Sequence, residues 1–506
     1  MDWLGVFTLL TFTLGVCDGQ PMECGQIGGM MQNPLNWILR TAGGRIFVAA
    51  FLENTFSADA PVYEILVTGT LRSTTVTISM NDADFKKKIQ VGKGETATVE
   101  LPNSMENKGS GIYSHGIIIK ADADITVMTR NFKKTSGDVA LIYPVDQWGK
   151  EYHIITPING PSKHYAQFGV LAHEMPTTVT ILPSTAIQYN GKNYQKGDRM
   201  VVKLEPFHLL QIQSKDDLSG TMISSDHTVT VMSGHSCAPS NGGCSHIYDY
   251  LRDKEKWGNS YFVPGLSFQG ANDLVFISGS QKTCIQHKSG EKIINSNVEA
   301  GKIMTLNVSA SSPLSIHSTE KIQVLFHGTG GTFKGKPFGP FMTVIPDIES
   351  FDLTYNLIGQ KDIDNNLAII VAKTSKGPEI TFNGKTLKDA TWKAFPQSEY
   401  SWAEYNYGGG SSSNTLHHSS TPFGLLNIGY SMNKAYGSQA AAIQAPGGPL
   451  CKSHVLKASF KTIIAHGPAK ALEKGTLEAK KVLITVPPKA SEKSTMKATF
   501  RDEDDD

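Results

Sequence analysis

The chain has 506 residues, and its 47 Lys and Arg against 46 Asp and Glu leave a formal net charge of +1. That balance gives no basis for a nucleic-acid or acidic-lipid partner, and the length allows roughly two to four cores on domain-size grounds. Gly is abundant (48) and Ser and Thr are frequent, which suits many short strands and turns better than long helices.

Leu4 to Val16 is an apolar run followed by Cys17-Asp18-Gly19, so residues 1–19 read as a secretory signal peptide, although Asp2 stands where a basic residue is usual. The run is too short to span a bilayer, and no later segment reaches the apolar length a spanning helix needs. The expectation is a secreted, extracellular protein with no transmembrane segment. Residues 20–43 read as a leader.

From Gly44 the chain repeats itself. A first β-rich pass runs through Gly44 to Phe51, Thr75 to Ile78, Thr96 to Leu101 and Ala123 to Met128, and ends on Tyr143-Pro144 and Trp148-Gly149-Lys150-Glu151-Tyr152. A second pass gives Phe168 to Leu171, Thr178 to Ile181, Met200 to Leu204, Asp226 to Met232 and Trp257-Gly258 in the same order. A third, weaker copy follows through Thr283 to Ile285, Gly301 to Leu306, Lys321 to Leu325 and Ile345-Pro346-Asp347. A fourth, weaker still, holds Glu379 to Gly384 and Phe423 to Ile428. Ordered self-similarity at a period of about 100 residues marks repeated supersecondary units. The predicted repeats span about 44–158, 159–266, 267–359 and 360–442, inside a domain of 44–468.

Each unit alternates apolar and polar residues, as half-buried antiparallel strands do, and only Ile247 to Glu255 carries a helical period. The predicted fold is all-β: tandem antiparallel β-sandwich-like repeats packed in a row, with a β-propeller-like ring as the alternative. Trp148, Trp257, Tyr152 and Tyr261 recur at matching positions and read as core anchors. Residues 469–506, ending Arg501 to Asp506, read as a last strand and a disordered charged tail.

The six cysteines are the sharpest local signal. In an oxidising compartment Cys237 and Cys244 should close a small loop, and Cys24 could reach Cys451. Cys284 is left over inside a strand-like run and reads as a buried thiol, with intermolecular pairing the alternative. Asn307-Val308-Ser309 is a glycosylation sequon. His235-x-Cys237-x6-Cys244-x-His246 could supply four zinc ligands, but its spacing fits no familiar zinc finger and the compartment favours oxidation. The disulfide would then pin a projecting Gly/Pro-rich loop, whose His235, Ser236, Pro239, Asn241 and His246 form the candidate binding surface.

Catalysis finds little support. Gly234-His235-Ser236-Cys237-Ala238 resembles a nucleophile elbow, yet no strand-to-helix turn of a parallel α/β sheet follows. Gly328 to Phe333 lacks the third glycine of a dinucleotide fingerprint, and His417-His418 sits in a Ser/Gly stretch that reads as solvated loop. No catalytic residue, metal or cofactor is expected.

Ser233 to Ala238 with Cys244, then Trp257-Gly258-x-x-Tyr261-Phe262-Val263-Pro264, resembles the N-terminal domain family of IgGFc-binding protein. Val139 to Pro144 with Trp148-Gly149 resembles the preceding segment of the same family. The resemblance covers roughly Gly44 to Ala442. It implies a secreted, non-enzymatic recognition protein of mucus or extracellular fluid that binds a glycoprotein, immunoglobulin Fc or a mucin. Larger members carry Cys-rich von Willebrand D-type modules after this domain, and the present chain shows none, so only the binding domain is expected to carry over. The alternative is a structural mucus or matrix component that associates with mucins or with itself.

Overall fold

The computed structural model describes residues 42–443 except 56, 135, 158–163, 241–242, 269–272 and 388–389. The expected signal peptide, most of the leader, Cys24, Cys451 and the charged tail therefore lie outside the described residues.

All described regular structure is β-strand apart from short 3-10 turns. The chain builds four modules from antiparallel sheets. In the first, a 17-residue strand, Ile117–Lys133, acts as a spine. Its first stretch pairs with Thr74–Met80 and Gly44–Ala49, and its second with Val62–Gly69 and Ser136–Ile142. One strand thus passes from one layer of a sandwich to the other, as strands that switch sheets do at sandwich corners. Burial alternates strictly along Thr74–Met80, placing Val76, Ile78 and Met80 in the core.

The next two modules repeat this plan. Their spines are Met222–Ser240 and Leu314–Gly328, and each takes four partner strands in the same order. The fourth module breaks it. Here the spine is split into Ser412–His417 and Gly424–Ser431, and the module consists of two separate five-stranded sheets. The break holds Pro422, which has no N–H for a ladder, and His418 Nδ1 accepts from the Ser420 and Thr421 amides instead. His417 closes a strand, half-buried, and His418 is buried at 1% exposure, so neither lies in the solvated loop expected.

Matching junctions join the modules. The indole of Trp148 donates to Tyr143 O, and that of Trp257 to Arg252 O. Tyr152 and Tyr261 accept from the amides of Gly149 and Gly258 and donate to Val229 O and Ile322 O on the spines. Phe351-Asp352-x-x-Tyr355 makes the same two bonds at the start of the fourth module, to the Asp352 amide and Phe423 O. The glycines are required: a Cβ on Gly149 would lie 2.0 Å from the Asp253 carboxyl group, and one on Gly258 would lie 2.4 Å from Asp347 Cβ.

The modules do not run in a row. The strand Ser136–Ile142 packs on Gly243–Tyr250, that strand on Phe341–Val344, that on Lys434–Gln439, and the last returns to Ser136–Ile142. Four sandwich-like modules therefore close a ring, with one strand of each at its centre. The closing seam has its own apolar cluster, where Leu66, Met128, Phe132 and Leu141 meet Ile358, Ile363, Tyr436 and Ala441. The helical period expected over Ile247 to Glu255 is not helix. Gly243–Tyr250 is a strand of that centre, and Ser245 to Tyr250 are buried on both faces, so apolar and polar residues along it do not alternate between core and solvent. Only Lys254–Lys256 coils, as a 3-10 turn capped by Asp253.

Candidate functional site

Met222–Ser240 and Gly243–Tyr250 form a hairpin, and Cys237 and Cys244 join across it with an S–S distance of 1.98 Å. The stretch expected as a projecting loop is mostly paired strand. Its Gly234 answers to close approach, since a Cβ there would sit 2.0 Å from Ile247 O. His235, Ser236, Cys237 and His246 are all fully buried, so three of the five candidate binding residues have no free surface. Pro239 is exposed near the tip, and Asn241 lies outside the described residues.

The hairpin end docks onto the first module. Ser236 Oγ accepts from Thr55 Oγ1 (3.0 Å) and from the Tyr165 amide (3.0 Å). The Thr55 amide donates to Ser236 O, and the His246 amide donates to Ser136 Oγ. Asn131 Nδ2 bonds Leu52 O and lies 3.2 Å from His246 Nε2. Burial lowers the pKa of His235 to about 3, with the nearby His164 and His327 adding to the effect. Burial also lowers His246 to about 3. Both rings are neutral at physiological pH. A buried, doubly accepting Ser236 has neither access nor a free lone pair for nucleophilic attack.

His164 joins Cys237 and Cys244 in a cluster whose potential donor atoms lie within 4.8 Å of one another. With both sulfurs in a disulfide no thiolate is available, and a disulfide is not a zinc ligand. Cys284 is buried and disulfide-bonded, which corrects its reading as a thiol. Its partner and the expected Cys24–Cys451 bridge lie outside the described residues. Asn307 ends the strand Ile303–Asn307 and is exposed.

The features that sequence reading missed lie at the ring's seam. Glu64 and Arg130, each 3% exposed, pair at 2.6 Å, and Lys361 and Asp362 of the fourth module complete the network at 2.5 and 2.8 Å. Nearby the same two modules flank a half-open cavity of about 420 Å³, lined by Thr68, Thr70, Lys93, Thr354, Asn356 and His417 among others. No local motif announces either feature, because both are assembled from opposite ends of the chain.

The family model for IgGFc binding protein matches residues 138–429, from the last strand of the first module through most of the fourth. The chain belongs to the IgGFc-binding protein family. It is 30% identical over 446 residues to the human protein of that name, a match that covers 87% of this chain and 8% of the relative. This chain thus spans less than a tenth of that relative's length.

Proposed function

We propose that this protein is an extracellular, non-enzymatic binding protein whose ring of modules recognises a glycoprotein, immunoglobulin Fc being the first candidate and mucin the second. Membership of the family carries the reading, because the human relative is named for Fc binding and the match extends over most of this chain. Two observations support it. No described helix is long and apolar enough to cross a membrane, and a disulfide-pinned hairpin suits an oxidising compartment.

Surface-immobilised Fc and mucin, presented in parallel to the purified protein, test the proposal. Saturable capture by either is expected. Capture by neither, from a protein with a cooperative thermal transition, would rule the reading out.

A further inference from the structure

We infer that the cavity at the ring's closing seam is a binding site for an anionic sugar, one bearing a carboxylate or a sulfate. The inference rests on the glycoprotein-binding reading and gives it a chemical target. At about 420 Å³ the cavity falls within the usual range of small-ligand sites. The first module contributes Thr68, Gly69, Thr70, Lys93 and Gly94, and the fourth contributes Thr354, Asn356, Thr415, His417 and Ile443. Most of the exposed wall is apolar, as the C–H face of a sugar ring requires, and hydroxyl, amide and imidazole side chains punctuate it where ligand hydroxyls would be fixed.

Asn356 is the telling residue. It is 3% exposed, and its Nδ2 has no hydrogen-bond partner among the described residues. Its Oδ1 receives only a long bond from Ser413 Oγ, at 3.4 Å. Turning the amide over would merely move the vacancy to the oxygen. A buried amide group left without a partner is costly, and a ligand hydroxyl could supply what is missing. His417 Nδ1 is held by Thr354 Oγ1 at 2.9 Å, which orients the ring and leaves Nε2 uncommitted.

The charge requirement comes from Lys93. It is exposed and has no ion-pair or hydrogen-bond partner for its ammonium among the described residues. Glu95, two residues on, does not line the cavity and accepts from the Gly92 amide. The cavity wall therefore offers a cation with no anion, as a carboxylated or sulfated sugar requires.

Titration calorimetry of the full chain with sialyllactose, sulfated lactose and plain lactose tests the inference and separates the two anion sources. At least one anionic sugar should bind saturably, and plain lactose about tenfold more weakly, the value of one charge-assisted hydrogen bond. Lys93→Gln, at an exposed position that leaves the fold intact, should abolish that preference. Asn356→Leu should weaken all three sugars, and a melting curve will show whether it folds. Absence of saccharide binding, equal binding of plain lactose, or an unchanged preference in Lys93→Gln would overturn the inference. Capture of Fc or mucin that survives removal of sialic acid and sulfate would sink the sugar site and leave the broader reading standing. Sugar binding without capture of either glycoprotein would do the reverse.

Discussion

Glu64 tests whether the ring is held shut where its ends meet. Its carboxylate takes Arg130 Nη1 at 2.6 Å and Lys361 Nζ at 2.5 Å, and Arg130 Nη2 reaches Asp362 at 2.8 Å. Burial alone would raise the Glu64 pKa, but the bonds from Lys361 and Arg130 outweigh it and hold the carboxyl below its usual value. Lys361 and Asp362 are each half exposed, so solvent screens the bonds they make to Glu64 and Arg130. The Glu64–Arg130 pair is different, with both side chains 3% exposed. Removing one partner breaks the buried pair and leaves the other held only by its half-exposed neighbour, Lys361 or Asp362, at a cost of about 2–3 kcal/mol. Glu64→Gln and Arg130→Met should each destabilise by that amount. The double variant Glu64→Leu/Arg130→Met should lie within about 2 kcal/mol of wild type, because no buried charge remains and Lys361 and Asp362 are half exposed to water. Urea unfolding followed by Trp fluorescence measures all three. A Glu64→Gln midpoint within about 1 kcal/mol of wild type would show that the seam network does not hold the modules together.

Three further outcomes follow from the packing. Replacing Cys237 and Cys244 by Ser should lower stability by about 2–3 kcal/mol, the loop-closure entropy of a bridge seven residues long. It should leave glycoprotein affinity unchanged in the folded protein, because the hairpin end is buried against the first module; a large affinity loss with stability intact would restore it as a contact surface. Gly258→Ala should cost about 1–3 kcal/mol by forcing a Cβ against Asp347, readable as a lower thermal midpoint. Acidification should destabilise the protein as pH falls from 6.5 towards 4. His235 and His246 are depressed to about 3 by burial, and His153 and His327 to about 4, so their stability is present above 6.5 and lost as pH drops. Asp249, raised by burial to about 7, opposes them between pH 7 and 3.8, since its protonated form is favoured there. His327 stacks on Phe276 with neither ring nitrogen bonded among the described residues, so His327→Phe should flatten the acid limb by about one proton; an unchanged slope would refute the assignment.

Strands and junctions were legible because both depend on local chemistry. Alternation along Thr74–Met80 and the Trp-Gly-x-x-Tyr signals at Trp148 and Trp257 reflect contacts within a module or to its neighbour. The third junction escaped notice because Phe351-Asp352 replaces Trp-Gly, although Tyr355 keeps both hydrogen bonds. The hairpin was misread for a related reason. Gly234, Pro239 and their neighbours have the composition of a loop, but Gly234 is there so that two strands can approach closely. Ring closure left no local trace, since Glu64 and Lys361 are joined only by the path of the whole chain.

Closure also dictates where a partner can bind. The centre is filled by one strand from each module, and the most distinctive hairpin end is spent on docking to the first. Among the described residues the seam and the outer sheet edges stay open, and there the repeats diverge. The edge strand Lys86–Val91 carries three consecutive exposed lysines, Met200–Leu204 exposes Val201 and Lys203, and Lys292–Val298 exposes Ile293 and Ile294. Lysines on an edge discourage further strand pairing, whereas exposed isoleucines do not. A duplicated scaffold that preserves its junction bonds while its rims differ in charge and hydropathy is equipped to bind through unlike surfaces on like modules. The seam is the extreme case, because only the first and fourth modules, the ends of the series, meet there.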